Sequence, residues 1–117
     1  MTRSTMYVVN AFSLSMVPET VTLRIETIDP YEALVLATKA SAQGWLVSAL
    51  GHADIAMIVS EALQQPLGVN RISVFMNDPW DRLLVAQYTG PRLPEGATQL
   101  PKGARITWKL VTYRHPI

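Results

Sequence analysis

Between Gly51 and Pro66 the apolar residues Ile55, Ile58, Val59, Ala62 and Leu63 recur at the three- and four-residue spacing of one helix face. A helix of this kind has to bury that stripe against other elements, and Pro66 and Gly68 stop it. The other elements are legible on either side. Thr5 to Ala11 is rich in β-formers, and Val21, Leu23 and Ile25 alternate with Thr22, Arg24 and Glu26, the period of two that marks a half-buried strand. Asp29, Pro30 and Glu32 supply an N-cap, a first-turn proline and a box-like acidic residue ahead of Leu34 and Val35, so a first helix begins there and fades near Gly44. Beyond the second helix, Arg71 to Met76, Arg82 to Tyr88 and Ala104 to Tyr113 read as strands, with Ile72, Val74, Met76 and then Ile106, Trp108, Leu110 alternating. Asn77 to Asp81, between the first two of these, reads as a hairpin turn in which Asp78 and Asp81 serve turn chemistry.

Two strands, two helices and three strands in that order predict an α/β fold, a mixed sheet of about five strands with helices packed against it and the strand order left open. A length of 117 residues with 49% hydrophobic side chains fits a single domain over residues 1–117. No repeat, low-complexity tract or charge block interrupts it. Cysteine is absent, so disulfide scaffolds, thiolate zinc sites and cysteine nucleophiles drop out together and the fold has to stand on packing. No apolar run has signal-peptide character or approaches the roughly 20 residues that span a bilayer, so the expectation is a soluble cytosolic protein without a membrane partner.

Charge excludes further classes. Ten Lys or Arg stand against nine Asp or Glu for a formal net charge of +1, which gives no broad basic surface for duplex nucleic acid. Two well-separated histidines offer no metal-ligand spacing, and no metal site or cofactor is expected. No glycine-rich loop leads into a helix through a Lys-Ser or Lys-Thr pair, and no nucleophile elbow is present.

Two places could carry chemistry. The connection from Thr89 to Gly103 holds Pro91, Pro94 and Pro101 with Gly90, Gly96 and Gly103, and also Arg92 and Glu95. Ordered connections of such length are more often functional than accidental, although a solvated surface loop has the same composition. His52 follows Gly51 at the start of the striped helix, where free backbone N–H groups attract a phosphate and the positive helix end disfavours imidazolium. A polar residue near a helix cap is the plainer reading of such a histidine, and His115, in the tail, is the weaker candidate. One histidine, one glutamate, serine and arginine suffice for transesterification of RNA, whose 2′-hydroxyl supplies the nucleophile.

Tyr7-Val8-Val9-Asn10-Ala11-Phe12-Ser13, Gly51-His52, Asn70-Arg71-Ile72 and Gly90-Pro91-Arg92-Leu93-Pro94-Glu95-Gly96 occur in an order and at spacings that resemble the viral ring nucleases, a type III anti-CRISPR family. The similarity covers nearly the whole chain. It implies a homodimer that binds cyclic tetra-adenylate, the second messenger of type III CRISPR defence, across its two-fold axis, a symmetric ring suiting a symmetric dimer. It also implies metal-independent cleavage to linear oligoadenylates with a 5′-hydroxyl and a 2′,3′-cyclic phosphate.

By position, the family's essential histidine falls on His52, which would protonate the departing 5′-oxygen. Glu95 matches its acidic residue and would orient or assist His52, and Arg92 matches its loop arginine, which would clamp the scissile phosphate. Arg71 would hold a neighbouring phosphate or base, while Asn10 and Ser13 match polar positions lining the pocket. Gln87, a polar break in an apolar strand, joins them as a binding candidate, with exposure on an edge strand as its plain alternative. The same residues would serve a sponge or sensor that captures a cyclic oligoadenylate and releases it uncut. A structural or DNA-associated viral protein is the third class, against which the near-neutral charge argues.

Overall fold

The Asp29 side chain accepts a hydrogen bond from the Glu32 N–H at 2.8 Å, and Pro30 opens the first helix behind it. In the computed structural model, which describes residues 4–114, the elements run β1 (Met6–Val9), a short 3-10 turn (Leu14–Met16), β2 (Leu23–Ile28), α1 (Pro30–Ala42), β3 (Leu46–Ser48), α2 (Ala53–Leu63), β4 (Arg82–Thr89) and β5 (Arg105–Tyr113). His115 lies outside the described residues.

The five strands form one mixed sheet in the order β2-β5-β4-β1-β3. Interior strand β1 pairs in parallel with β3 and β4, with Val8 opposite Ser48 on one side and Leu84 on the other. Strand β5 runs antiparallel to both β4 and β2, placing Trp108 beside Ala86 and Ile28. Both helices contribute to the core on one face of the sheet: Ala33, Ala37 and Ala40 of α1 and Ile55, Ala56, Val59 and Leu63 of α2 meet Met6, Val8, Leu84, Ala86, Trp108 and Leu110. The buried contacts of α1 are all alanines, with Leu36 packed at their side, which lets that helix approach the sheet closely. The stripe of α2 matches its expected face except at Ala62, which is exposed, while Ala56 is buried in its place. The helix closes before Pro66, with Gln64 in the left-handed region at φ 57° and the Gln65 N–H donating to the Ser60 carbonyl at 3.1 Å.

The opposite face carries a second apolar cluster, in which Leu83, Val85, Val111 and Tyr113 are covered by Val17, Val74 and Met76. This explains the largest departure from the sequence reading. Residues 71 to 76 form no strand, because the Ile72 N–H turns back to the Asn70 carbonyl and only the Met76 N–H reaches a distant one, that of Met16. Val74 and Met76 are buried as an irregular cover over the sheet, while Ile72 and Phe75 are exposed. Asn77 to Asp81 is accordingly a turn but no hairpin. Its chemistry is the expected one: Asp78 accepts from the Trp80 N–H at 2.8 Å, and buried Asp81 accepts from the N–H groups of Thr5 and Asp78.

The fifth strand is instead β3, whose three residues are too few to show a period. On edge strand β2, Leu23 is partly buried against the second cluster but Ile25 is 54% exposed, so the alternating face is covered only at one end. No helix among the described residues is long and apolar enough to cross a membrane.

Candidate functional site

The parallel strands β1 and β4 end on the same side of the sheet, and α2 begins there. Carboxyl ends of parallel strands are where α/β sheets present ligands, since the chain leaves the sheet and side chains converge without a ladder to occupy the space. A cavity of about 760 Å³ opens at this end, lined by Asn10 after β1, His52 and Asp54 at the start of α2, Tyr88 of β4, and Arg92 and Glu95 of the following loop.

His52 is the N-cap residue of α2, extended at φ −135° and ψ 141°. Its carbonyl accepts from the Ala56 N–H at 3.1 Å, whereas its side chain makes no capping hydrogen bond. The exposed imidazole is therefore spared the usual side-chain work of an N-cap and faces a cavity beside the helix's free N–H groups.

Arg92 and Glu95 belong to the connection of the β4–β5 hairpin, which three contacts hold against the body. The Tyr88 hydroxyl donates to the Pro91 carbonyl, Leu93 packs on the helix-side core, and the Gly96 N–H donates to Asp54 Oδ1 at 3.1 Å. Arg92 thus sits between two anchored residues, and Glu95 directly precedes a third. The Ala97 N–H closes a turn onto the Pro94 carbonyl at 3.1 Å around Glu95. Gly90 makes the loop's base possible: at φ 149° it lies so close to Ala104 that an added Cβ would stand 2.7 Å from the Ala104 Cβ.

The STIV B116-like family profile matches residues 6–103, a stretch that includes every lining residue of this cavity. The chain belongs to the STIV B116-like family. Among solved structures, B116 of Sulfolobus turreted icosahedral virus superimposes with a TM-score of 0.79 at 26% identity, over 94% of this chain and 100% of that one. No curated protein matches by sequence.

In this B116-like fold, four of the residues singled out from the sequence, Asn10, His52, Arg92 and Glu95, line one cavity although they span most of the chain. Three others lie outside its lining. Ser13 caps the 3-10 turn, its hydroxyl accepting from the Ser15 N–H at 3.3 Å. Arg71 is exposed and donates through Nε to the Gly51 carbonyl at 2.8 Å, which bolts the 69–77 segment to the residue before His52. Gln87 is exposed and alternates with Ala86 and Tyr88, so its side chain leaves the face of the sheet opposite to the helices.

Two polar lining residues escaped the sequence reading. Asp54 looked like an ordinary acidic residue in a first helical turn, favourable for the helix dipole. Tyr88 looked like the end of a strand. Chemically the cavity offers a histidine able to exchange a proton, a guanidinium for a phosphate, and two carboxylates, one of them engaged with the loop backbone. Among the described residues no three His, Cys, Asp or Glu side chains are grouped as metal ligands.

Proposed function

We propose that this protein is a metal-independent ring nuclease that binds cyclic tetra-adenylate and opens it to linear oligoadenylates ending in 2′,3′-cyclic phosphate, thereby silencing type III CRISPR signalling. The observation that carries this reading is the convergence of His52, Arg92 and Glu95 on one cavity at the carboxyl ends of β1 and β4.

The chemistry follows from these groups. A ribose 2′-oxygen attacks the adjacent phosphorus, the bond from phosphorus to the 5′-oxygen breaks, and His52 delivers the proton that the departing 5′-oxygen requires. The 2′-hydroxyl proton leaves to solvent or to a carboxylate in its charged form, for which Glu95 is placed in the cavity wall. Arg92 offsets the charge that builds on the phosphoryl oxygens. Because the nucleophile belongs to the substrate, the protein has only to orient it and to manage one proton and one anion.

A homodimer completes the reading. The helix-free side of the sheet is covered by segments that leave Leu14, Ile72 and Phe75 exposed, and Ser13, Arg71 and Gln87 belong to the same segments or the same side. A second copy seated there would bring those polar groups to bear on a symmetric ring.

Incubation with labelled cyclic tetra-adenylate in the presence of a chelator, followed by denaturation and separation of products, tests the proposal. Linear products with a cyclic phosphate end are expected. Intact ring recovered from a tight complex would overturn cleavage in favour of a sponge or sensor, and a strict need for added divalent metal would overturn the metal-free mechanism.

A further inference from the structure

The helix-facing row of β4 has a cavity at each end. Leu84 and Ala86, in its middle, are wholly buried, and Tyr88 lines the site described above. Arg82, at the other end, lines a second cavity of about 490 Å³, whose wall also includes Lys39, Gln43, Trp45, Trp80 and Thr112. Tyr88 lies six positions along the strand from Arg82, about 20 Å at the usual rise, so one ligand of nucleotide size does not fill both cavities. A volume of this order is typical of small-molecule sites.

The second cavity carries an unanswered donor on a half-buried cation. Arg82 Nε is buried with no hydrogen-bond partner, and burial lowers the pKa of its guanidinium. The adjacent carboxylate does not answer it: Asp81 spends one oxygen on the Thr5 N–H at 3.1 Å and the other on the Asp78 N–H at 3.2 Å, and no ion pair joins it to Arg82 among the described residues. A buried donor without an acceptor is costly, and a bound anion removes the cost.

Lys39, in the last turn of α1, adds a second cation to the same wall. The carbonyls at that helix end would oppose an anion, but two of them are already engaged. The Ala40 carbonyl accepts from Gln43 and Trp45 N–H groups, and the Ser41 carbonyl accepts from Gly44. Two of the protein's three tryptophans stand in this wall, while the third, Trp108, is buried in the core. Indole faces take flat rings and tolerate cations beside them.

We propose that this cavity is a second binding site, for a small anion borne on a planar ring, with the anionic group on Arg82 and Lys39 and the ring against Trp45 and Trp80. A phosphorylated nucleoside and an aromatic carboxylic acid share this chemistry. The site is independent of the ring nuclease reading.

Calorimetric titration with AMP and, separately, with benzoate tests it, with tryptophan fluorescence as a second readout because two of the three indoles line the cavity. At least one titrant is expected to bind and to change the fluorescence. Arg82→Met is expected to weaken that binding about ten- to hundredfold, the effect of a lost charge-assisted hydrogen bond. Its melting temperature should stay at or above that of the unaltered protein, because a buried N–H without an acceptor has been removed. Lys39→Met, an exposed position, is expected to give a smaller, salt-sensitive loss. Adenosine in place of AMP should bind more weakly, and Arg92→Ala should leave intact the binding that tryptophan fluorescence reports, since no indole lines the first cavity. Absence of binding by both titrants at millimolar concentration would overturn the proposal, as would binding insensitive to Arg82→Met or lost on Arg92→Ala.

Discussion

The Gly96 N–H donates to Asp54 Oδ1 at 3.1 Å, a bond across 42 positions that fastens the loop of Arg92 and Glu95 to the first turn of the helix that begins behind His52. It fixes the separation between the two halves of the candidate site without itself contacting the reacting atoms. Asp54 is in this sense a positioning residue, and its contribution is to the order of the loop.

Asp54→Ala removes the acceptor, whereas Asp54→Asn keeps a carbonyl oxygen in its place. A hydrogen bond of this kind contributes about 1 kcal/mol, which corresponds to a roughly fivefold change in the population of a detached loop. Tryptic cleavage after Arg92 should therefore quicken several-fold in the alanine variant and stay near the original rate in the asparagine variant. Equal rates in all three proteins would show that the loop is held by Leu93 and Tyr88 alone.

His52→Ala should lower single-turnover cleavage of cyclic tetra-adenylate by about two to four orders of magnitude, the usual effect of losing a general acid or base. Binding should persist, since the arginines remain. Unimpaired cleavage by this variant would remove His52 from the proton transfer.

The helix that presents His52 was legible because burial of one face imposes a period, and the cap signals were legible because Asp29 accepts from an orphan N–H and Pro30, having no N–H, removes another. Two other features were not. Strand β3 has three residues, all partly buried, and so leaves no alternation to read. The alternation in residues 71 to 76 does reflect burial at Val74 and Met76, but burial under an irregular cover produces the same pattern as burial in a sheet. At the site, the family resemblance raised His52, Arg92 and Glu95 above their plainer readings, yet the residue pattern itself did not show that the loop folds back over α2. That depends on Asp54 meeting a backbone N–H, and a backbone partner leaves no mark in the sequence.

Gly90→Ala tests the base of the loop. An ideal Cβ there would lie 2.7 Å from the Ala104 Cβ, 2.8 Å from its Cα and 3.3 Å from the Tyr88 hydroxyl, at a backbone φ of 149°. Neither Ala104 atom can retreat without moving the start of β5. The expected loss is about 1–3 kcal/mol, read from the urea midpoint at constant slope. Gly96→Ala, at φ 78° with nothing within 4 Å, carries only the left-handed backbone penalty of about 1 kcal/mol. Equal losses for the two would show that crowding at Ala104 is relieved.

Tyr113 gives a pH-dependent prediction. Its hydroxyl donates to the carbonyl of buried Met76, and its pKa is raised, first by burial and then by the Asp81 carboxylate. The raised value means that the folded protein holds the proton after the unfolded chain has lost it. The stabilising effect is therefore fully present below the unfolded value near 10 and declines as pH rises from there through the folded value. Tyr113→Phe leaves the Met76 carbonyl without its donor and should cost about 1–2 kcal/mol at neutral pH. Urea unfolding of both proteins at about pH 8 and about pH 11 checks the sign. The advantage of tyrosine over phenylalanine should shrink at the higher pH, the other tyrosines being common to both, and an advantage that grew with pH would contradict the buried neutral phenol.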